Sequence, residues 1–323
     1  MSADQIQIAL LDDYHGVAER YAKWANLGQH VHVHTFRDAM SQDACVASLQ
    51  AFDVIVAMRE RTPFPAALIE ALPKLRLLVT TGMRNFAIDL EACSRRGVVV
   101  CGAPGSADAN TSTAELAWAH ILTLCKNVIL EDANMRRGLW QTGMPRLLAG
   151  KTLGVVGLGK QGTAVAQVGK AFGMNVVAWS PNLTAERAQQ AGVTYVAKDA
   201  LFEESDVVSV HMVLSDLTRH IVDAAALAAM KPSAFLVNTS RAALIDQDAL
   251  LDALRKGRLA GAGLDVFDEE PLPPLDPLRS LDNVVLTPHL GYVSRENFTA
   301  FYQHAAAAVA AWMGGEPIRV LNP

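Results

Sequence analysis

The segment Lys151–Gly162, KTLGVVGLGKQG, constrains this chain more than any other. The apolar run Thr152–Val156 reads as a buried parallel strand, and it breaks into Gly157-Leu158-Gly159-Lys160-Gln161-Gly162 before an Ala/Val-rich helical pattern. Strand, glycine turn and helix in that order are what a dinucleotide needs. Gly157 permits the tight turn, Gly159 lets a pyrophosphate approach the backbone without meeting a Cβ, and Gly162 lets the new helix lie close to its strand. The free N–H groups at the helix start then face the phosphates. A bare GxGxxG would suit a glycine turn in any α/β domain; the flanking strand and helix favour dinucleotide binding.

Strand-like and helix-like segments alternate through most of the chain. The first part offers strands near 6–11, 31–36, 54–57, 75–80 and 98–101 with helical patterns between them, which predicts a small parallel sheet. Polar breaks follow its strands at Asp12-Asp13-Tyr14, Arg59-Glu60-Arg61-Thr62 and Thr81-Gly82-Met83-Arg84-Asn85. Open α/β sheets place ligands at such strand ends, so Arg59, Gly82, Met83 and Arg84 are candidate substrate residues. The pattern changes around Ala103-Pro104-Gly105-Ser106, where a long apolar helix, Thr113–Leu130, is expected behind the cap-rich Asn110-Thr111-Ser112.

The second part adds strands near 175–179, 207–211, 234–238, 260–265 and 284–287 to the fingerprint strand, six parallel strands in all. A last alanine-rich helix, Arg295–Met313, follows a completed nucleotide sheet and is expected to return to the first domain, closing a cleft. The expected fold is therefore α/β, with two doubly wound parallel-sheet domains: a Rossmann nucleotide-binding domain inserted in a smaller flavodoxin-like substrate domain. The predicted boundaries are 1–104 plus 291–323 for the substrate domain and 105–290 for the NAD(P)-binding domain.

At 323 residues the chain is long enough for two such cores. Its 51% hydrophobic and 19% charged content with a net charge of −5 describe a soluble globular protein without a basic footprint for nucleic acid. The N-terminal MSADQIQIALLDDY has no signal-peptide pattern, and no apolar run is long enough to span a membrane, so the cytoplasm is the expected compartment. Cys45, Cys93, Cys101 and Cys125 lack CxxC spacing and read as small core hydrophobes. His30, His32 and His34 alternate along one strand and share a face, but no carboxylate or cysteine completes a metal site; no metal is expected.

Charged residues suited to catalysis fall on loops after the last strands. Thr239-Ser240-Arg241, Asp265-Val266-Phe267 with Glu269-Glu270-Pro271, and Pro288-His289 each follow a strand of the nucleotide domain. With these motifs the chain resembles the D-isomer-specific 2-hydroxyacid dehydrogenases, through GLGKQG, NTSRAALID, GAGLDVFDEEPLP and TPHLG in that order, together with Asn110-Thr111-Ser112-Thr113-Ala114-Glu115.

The resemblance implies hydride transfer between NAD(P)H and a 2-oxo or D-2-hydroxy acid. It makes Arg241 the residue that holds the substrate carboxylate and reacting oxygen, a task suited to a planar fork of donors. His289 becomes the acid/base, which also contacts substrate, and Glu270 its carboxylate partner. It implies cofactor contacts from Gly157 to Gly162, at Ser180, Pro181 and Asn182, and at His211, Thr218, Thr239, Ser240, Asp265 and Thr113, with Asp265 near the nicotinamide carboxamide. Ser180 stands where an acidic residue usually binds the ribose 2′-OH, and Asn182, Thr184 and Arg187 follow, so the charge logic tips toward NADP(H) over NAD(H). The resemblance also implies a homodimer built around 113–140 and, with the chain ending at Pro323, no added C-terminal regulatory domain.

Two departures stand out. Arg84 lies where many relatives carry small residues, and His211-Met212-Val213-Leu214 lacks a proline common in that loop. A dinucleotide-sensing corepressor of the same fold and a formate dehydrogenase-like enzyme are the alternatives; the second pairs its histidine with glutamine, where this chain has Glu270.

Overall fold

The structure, a computed structural model, describes residues 5–322 apart from the side chains of residues 109 and 110. It divides into two compact units, Met1–Ala109 with Ser294–Pro323, and Asn110–Val293.

The first unit holds β1 (Ile6–Leu10), β2 (Val31–Thr35), β3 (Val54–Ala57), β4 (Leu77–Thr81) and β5 (Val99–Ala103). They form one parallel sheet in the order β2-β1-β3-β4-β5, the flavodoxin-like arrangement. The interior strands β3 and β4 are buried along their whole length, as continuous apolar runs covered on both faces must be. β2 is an edge strand, and His32 and His34 stand on its exposed face. Among the described residues no cluster of His, Cys, Asp and Glu is placed to hold a metal. The helix Arg295–Met313 packs on β4 and β5 of this sheet and buries Phe298, Phe301, Tyr302, Ala305 and Val309.

The second unit holds β6 (Thr152–Val156), β7 (Asn175–Trp179), β8 (Thr194–Tyr195), β9 (Val207–Val210), β10 (Phe235–Asn238), β11 (Gly261–Leu264) and β12 (Val284–Leu286). All pair in parallel, in the order β12-β11-β10-β9-β6-β7-β8. Counted from the fingerprint strand this is the Rossmann order extended by one strand. The six expected strands are all present. The seventh, β8, is two exposed residues long and carries no apolar run by which sequence could reveal it.

Strand residues alternate between two cores. Val156, Val208, Val210, Leu236 and Leu264 face one, while Leu153, Val155, Val176, Val207 and Val237 face the other, where Trp118 and Ile121 cover them. Each such side chain stabilises the fold by about 1.5–3 kcal/mol when fully buried.

The single long helix expected over Thr113–Leu130 is two helices, Ala109–Lys126 and Val128–Arg136. Asn127 at the junction adopts φ 56°, a left-handed conformation that asparagine tolerates better than most residues. Thr111 and Ser112, expected as caps, lie inside the first helix, and the side chain of Asn110 lies outside the described residues.

Candidate active site

Because the strands of the second unit are parallel and in register, the residue after each strand falls on one edge of the sheet. Val156 pairs with Trp179 and Val210, Asn238 with Val210 and Leu264, and Leu264 with Leu286. Gly157, Ser180, His211, Thr239, Asp265 and Thr287 thus form a row across six strands, spaced by about 4.8 Å per strand. The row is drawn tight by backbone bonds, His211 N–H to the Val156 carbonyl at 2.8 Å and Gly157 N–H to the Trp179 carbonyl at 2.8 Å.

The three glycines of the fingerprint meet three different demands. Gly157 has φ +96°, and a Cβ there would press on the His211 carbonyl. At Gly162 a Cβ would drive into the Gly157 carbonyl oxygen, so the helix Lys160–Ala171 packs against the turn only as glycine. At Gly159 nothing lies within 4 Å of a built Cβ, which leaves open space over the helix N-terminus. Beside this turn, two buried polar atoms have no partner, His211 Nδ1 and Thr239 Oγ1. Open space over a helix start and orphaned polar atoms on the same sheet edge suit a polar nucleotide.

Not every expected cofactor residue has a free hand. The Thr218 hydroxyl bonds the Val213 carbonyl at 2.8 Å and the Ser215 N–H at 2.8 Å, so it builds its own turn. Thr113 donates to the Gly291 carbonyl at 2.9 Å, and the Ser240 hydroxyl to the Val210 carbonyl at 2.8 Å. Leu158 and Gly162 are buried, whereas Lys160, Pro181 and Asn182 are exposed and Gln161 and Ser180 half-buried. After β7, Arg187 folds back so that its guanidinium donates to the Asn182 carbonyl at 3.0 Å.

Further along the edge the loops carry charge. Asn238, buried at the end of β10, bonds the Ser240 N–H at 3.0 Å and the Arg241 carbonyl at 2.9 Å, which bends Thr239-Ser240-Arg241 into a fixed turn. Glu270 accepts from the Phe267 N–H at 2.9 Å and holds His289 Nδ1 at 2.6 Å. The pair remains accessible, with side chains 24% and 32% exposed. Desolvation pushes the Glu270 carboxyl up, but the hydrogen bond and charge of His289, the Phe267 amide and the Arg241 charge outweigh it and hold Glu270 below its ordinary value. Arg241, Glu270 and His289, picked from three separate motifs, therefore act on one another. With Nδ1 committed to Glu270, Nε2 is the ring nitrogen left for proton exchange.

The loop bearing His289 is fastened from beneath by Asp265, a connection not read from the sequence. Its fully buried carboxylate accepts from Thr287 Oγ1 at 2.6 Å, Leu290 N–H at 2.7 Å and Gly291 N–H at 2.9 Å. His289 itself has φ 52° and donates its N–H to the Asp265 and Thr287 carbonyls. Tyr292 meets the His289 ring edge to face at 5.4 Å. Local motif patterns flag Asp265 and His289 individually, but only the register of β11 with β12 brings them together.

In the first unit, Arg59 and Gly82 sit at strand ends as expected. Arg59 has φ 54°, its N–H bonds Thr81 Oγ1 at 2.8 Å, and its side chain lies where a Cβ on Gly82 would be. Asn85 ties the Arg59 carbonyl at 2.7 Å to Thr80 Oγ1 at 2.9 Å. Met83 and Arg84 are exposed beside them.

Residues 118–291 match the family model described as the D-isomer specific 2-hydroxyacid dehydrogenase, NAD binding domain. The chain is 36% identical over 289 residues to a glyoxylate reductase of Korarchaeum cryptofilum, covering 87% of this chain and 86% of that one. It is 36% identical over 263 residues to a hydroxypyruvate reductase of Thermotoga maritima, covering 80% and 83%. The crystal structure of a phosphoglycerate oxidoreductase from Vibrio cholerae superposes with a TM-score of 0.90 at 36% identity, over 96% of this chain and 99% of that one.

Two buried histidines make the second unit sensitive to acid. Burial lowers His120 and His211 to about 4, while the unfolded chain releases them near the ordinary 6.5. Between those values the unfolded state binds the additional protons, so stability is full above pH 6.5 and falls as pH drops toward 4. The slope is about 1.4 kcal/mol per pH unit for each histidine. Urea unfolding at successive pH values checks this: His120→Gln removes one proton from the slope between pH 6.5 and 4, and identical slopes for variant and parent would contradict it.

Proposed function

This chain belongs to the D-isomer specific 2-hydroxyacid dehydrogenases, oxidoreductases with an NAD-binding domain, and we propose that it interconverts a 2-oxo acid and a D-2-hydroxy acid with Arg241, Glu270 and His289 as its catalytic residues. The carrying observation is the 2.6 Å pair of Glu270 with His289 Nδ1, on which the Arg241 charge also acts. In this reading the nucleotide is held by residues 157–162, Ser180, Pro181, Asn182, His211 and Thr239, with Ser240 shaping the turn that carries Thr239, and the nicotinamide supplies or accepts the hydride. Arg241 fixes the substrate carboxylate and the reacting oxygen through its two-pronged donor set. His289 gives the proton from Nε2 to the 2-oxo oxygen during reduction and takes it from the 2-hydroxyl during oxidation. Glu270 keeps Nδ1–H engaged, so the ring presents one nitrogen in one orientation. The first unit is the substrate domain, with Arg59 and residues 82–84 as its substrate loop. A glutamate on the catalytic histidine argues against the formate dehydrogenase-like alternative.

A panel of glyoxylate, hydroxypyruvate, phosphorylated and aryl 2-oxo acids, followed by cofactor absorbance, tests the reaction. Turnover of at least one member is expected; tight dinucleotide binding with none would favour the corepressor-like sensor. Lysine offers a point charge in place of a fork, so Arg241→Lys lowers kcat/KM by the equivalent of about 2–4 kcal/mol. Wild-type kcat/KM in that variant would remove Arg241 from its role.

For the cofactor we infer a preference for NADP(H). Ser180 offers no carboxylate to repel a 2′-phosphate, and the Arg187 guanidinium lies against the same turn through the Asn182 carbonyl. Thr184 is spent on capping the helix Ala185–Gln190 and on the Glu186 carboxylate. Ser180→Asp lowers kcat/KM for NADPH by about tenfold more than for NADH, through like-charge repulsion. Equal effects on both cofactors would overturn the assignment.

We also propose that the chain works as a homodimer. The helix Ala109–Lys126 buries Ala117, Trp118, Ile121 and Leu124 within its own unit, so the apolar surface lies further on. Val128, Ile129, Leu130, Met135, Trp140, Met144 and Leu147 are 52–89% exposed, a concentration that suits a self-complementary interface. Light scattering at micromolar concentration is expected to give twice the 34.7 kDa chain mass, and a monomeric mass would refute this.

A further inference from the structure

Beneath the His289 loop lies a hydrogen-bond chain, buried at both ends and half-buried at its middle link, that none of the catalytic assignments uses. His120, on the helix Ala109–Lys126, is 1% exposed, and its Nε2 lies 2.8 Å from Thr287 Oγ1. Thr287 in turn donates to Asp265 Oδ1 at 2.6 Å. A threonine hydroxyl has one proton, and here the carboxylate takes it, so His120 must donate from Nε2–H and leave Nδ1 bare. The surroundings agree with that tautomer: Nδ1 is buried with no partner, where a second proton would be an unpaired buried donor. Space for the ring exists only because position 263 on β11 is glycine; a Cβ there would lie 2.7–2.9 Å from His120 Nδ1, Cβ and Cγ.

We propose that His120 is a positioning residue for the acid/base: its Nε2–H, relayed through Thr287, fixes the Asp265 carboxylate and with it the backbone conformation that presents His289. The inference rests on the reading of His289 as the proton donor and acceptor.

Donation by His120 polarises the Thr287 hydroxyl, which strengthens the bond that hydroxyl donates to Asp265. Asp265 then has both oxygens committed, Oδ1 to Thr287 and Leu290 N–H, Oδ2 to Gly291 N–H. Those amides, with the His289 N–H on the Asp265 and Thr287 carbonyls, hold His289 at φ 52°. A non-glycine residue keeps such a conformation only when its surroundings impose it. Without the donor at position 120, Thr287 is free to turn its hydroxyl away from Asp265, and the loop loses the fastening that sets the His289 ring over Glu270. Arg241, on the turn shaped by Asn238, is untouched by the change.

The test compares His120→Met, which fills the space without a donor, with His120→Gln, whose Nε2 stands as many bonds from the backbone as that of histidine and still donates. Two readouts are taken: kcat and KM for the best 2-oxo acid of the panel, and amide hydrogen exchange over residues 287–291. His120→Met is expected to lower kcat about tenfold with KM within twofold, as a small misplacement of a reacting group does, and to speed exchange at Leu290 and Gly291. His120→Gln is expected to restore both. Thr287→Val breaks the chain one link nearer the carboxylate; it should reproduce the deficit, and the double variant should add nothing to it. Equal losses in the Met and Gln variants, unchanged kcat and exchange in the Met variant, or additive losses in the double variant would each overturn the relay. If the parent protein turns over no 2-oxo acid, the proposed reaction fails, and the exchange measurement still decides the relay.

Discussion

Parallel pairing is the constraint on which the rest depends. In an antiparallel sheet successive strand ends alternate between edges, but here the seven strands of the second unit all run one way and six of them end level. Register does the rest. Because Val156, Trp179, Val210, Asn238, Leu264 and Leu286 are level, the residues that follow them line one edge, although they span the chain from Gly157 to Thr287. A one-residue slip at β12 would bring Pro288 opposite Asp265 in place of Thr287 and break the bond that fastens the His289 loop. The apolar interior that fixes this register is therefore also what sets the chemistry of the edge.

What sequence could reveal follows from the range of the interactions involved. The glycine turn is specified within six residues, since Gly157 and Gly162 meet each other, and it was fully legible. Arg241, Glu270 and His289 could be singled out as candidates because each sits in its own short motif after a strand. Their mutual action is a tertiary fact that motif order only implied. The break at Asn127 was hidden because apolar periodicity continues across it through Val128, Ile129 and Leu130; only their exposure shows that the second helix no longer faces the core. β8 was hidden for the opposite reason, being too short and too exposed to need a hydrophobic pattern. His120 gave no signal at all, because one polar residue on an apolar helix face means nothing until Gly263 and Thr287 are known to lie against it.

The buried polar groups show where the second unit has given up stability. A fully buried carboxylate is costly to hold ionised, and burial does push the Asp265 carboxyl up, even against Thr287, the Leu290 and Gly291 amides and the His289 charge. His120, His211 and Thr239 each leave a buried nitrogen or oxygen without a partner, a penalty of about 1–3 kcal/mol where a donor or a charge is involved. An apolar replacement of Asp265 would avoid the burial cost and leave the amides of Leu290 and Gly291 with nothing to bond. The orphans divide into two kinds on physical grounds. His211 Nδ1 and Thr239 Oγ1 lie in the same row of strand ends as the glycine turn, on the edge proposed above for the nucleotide. His120 Nδ1 lies inside, against Gly263, on a residue 1% exposed; its bare lone pair follows from directing the one imidazole proton at Thr287. A core built for stability alone would place leucine there, so the imidazole is better explained by what it holds at the far end of the chain than by what it contributes to packing.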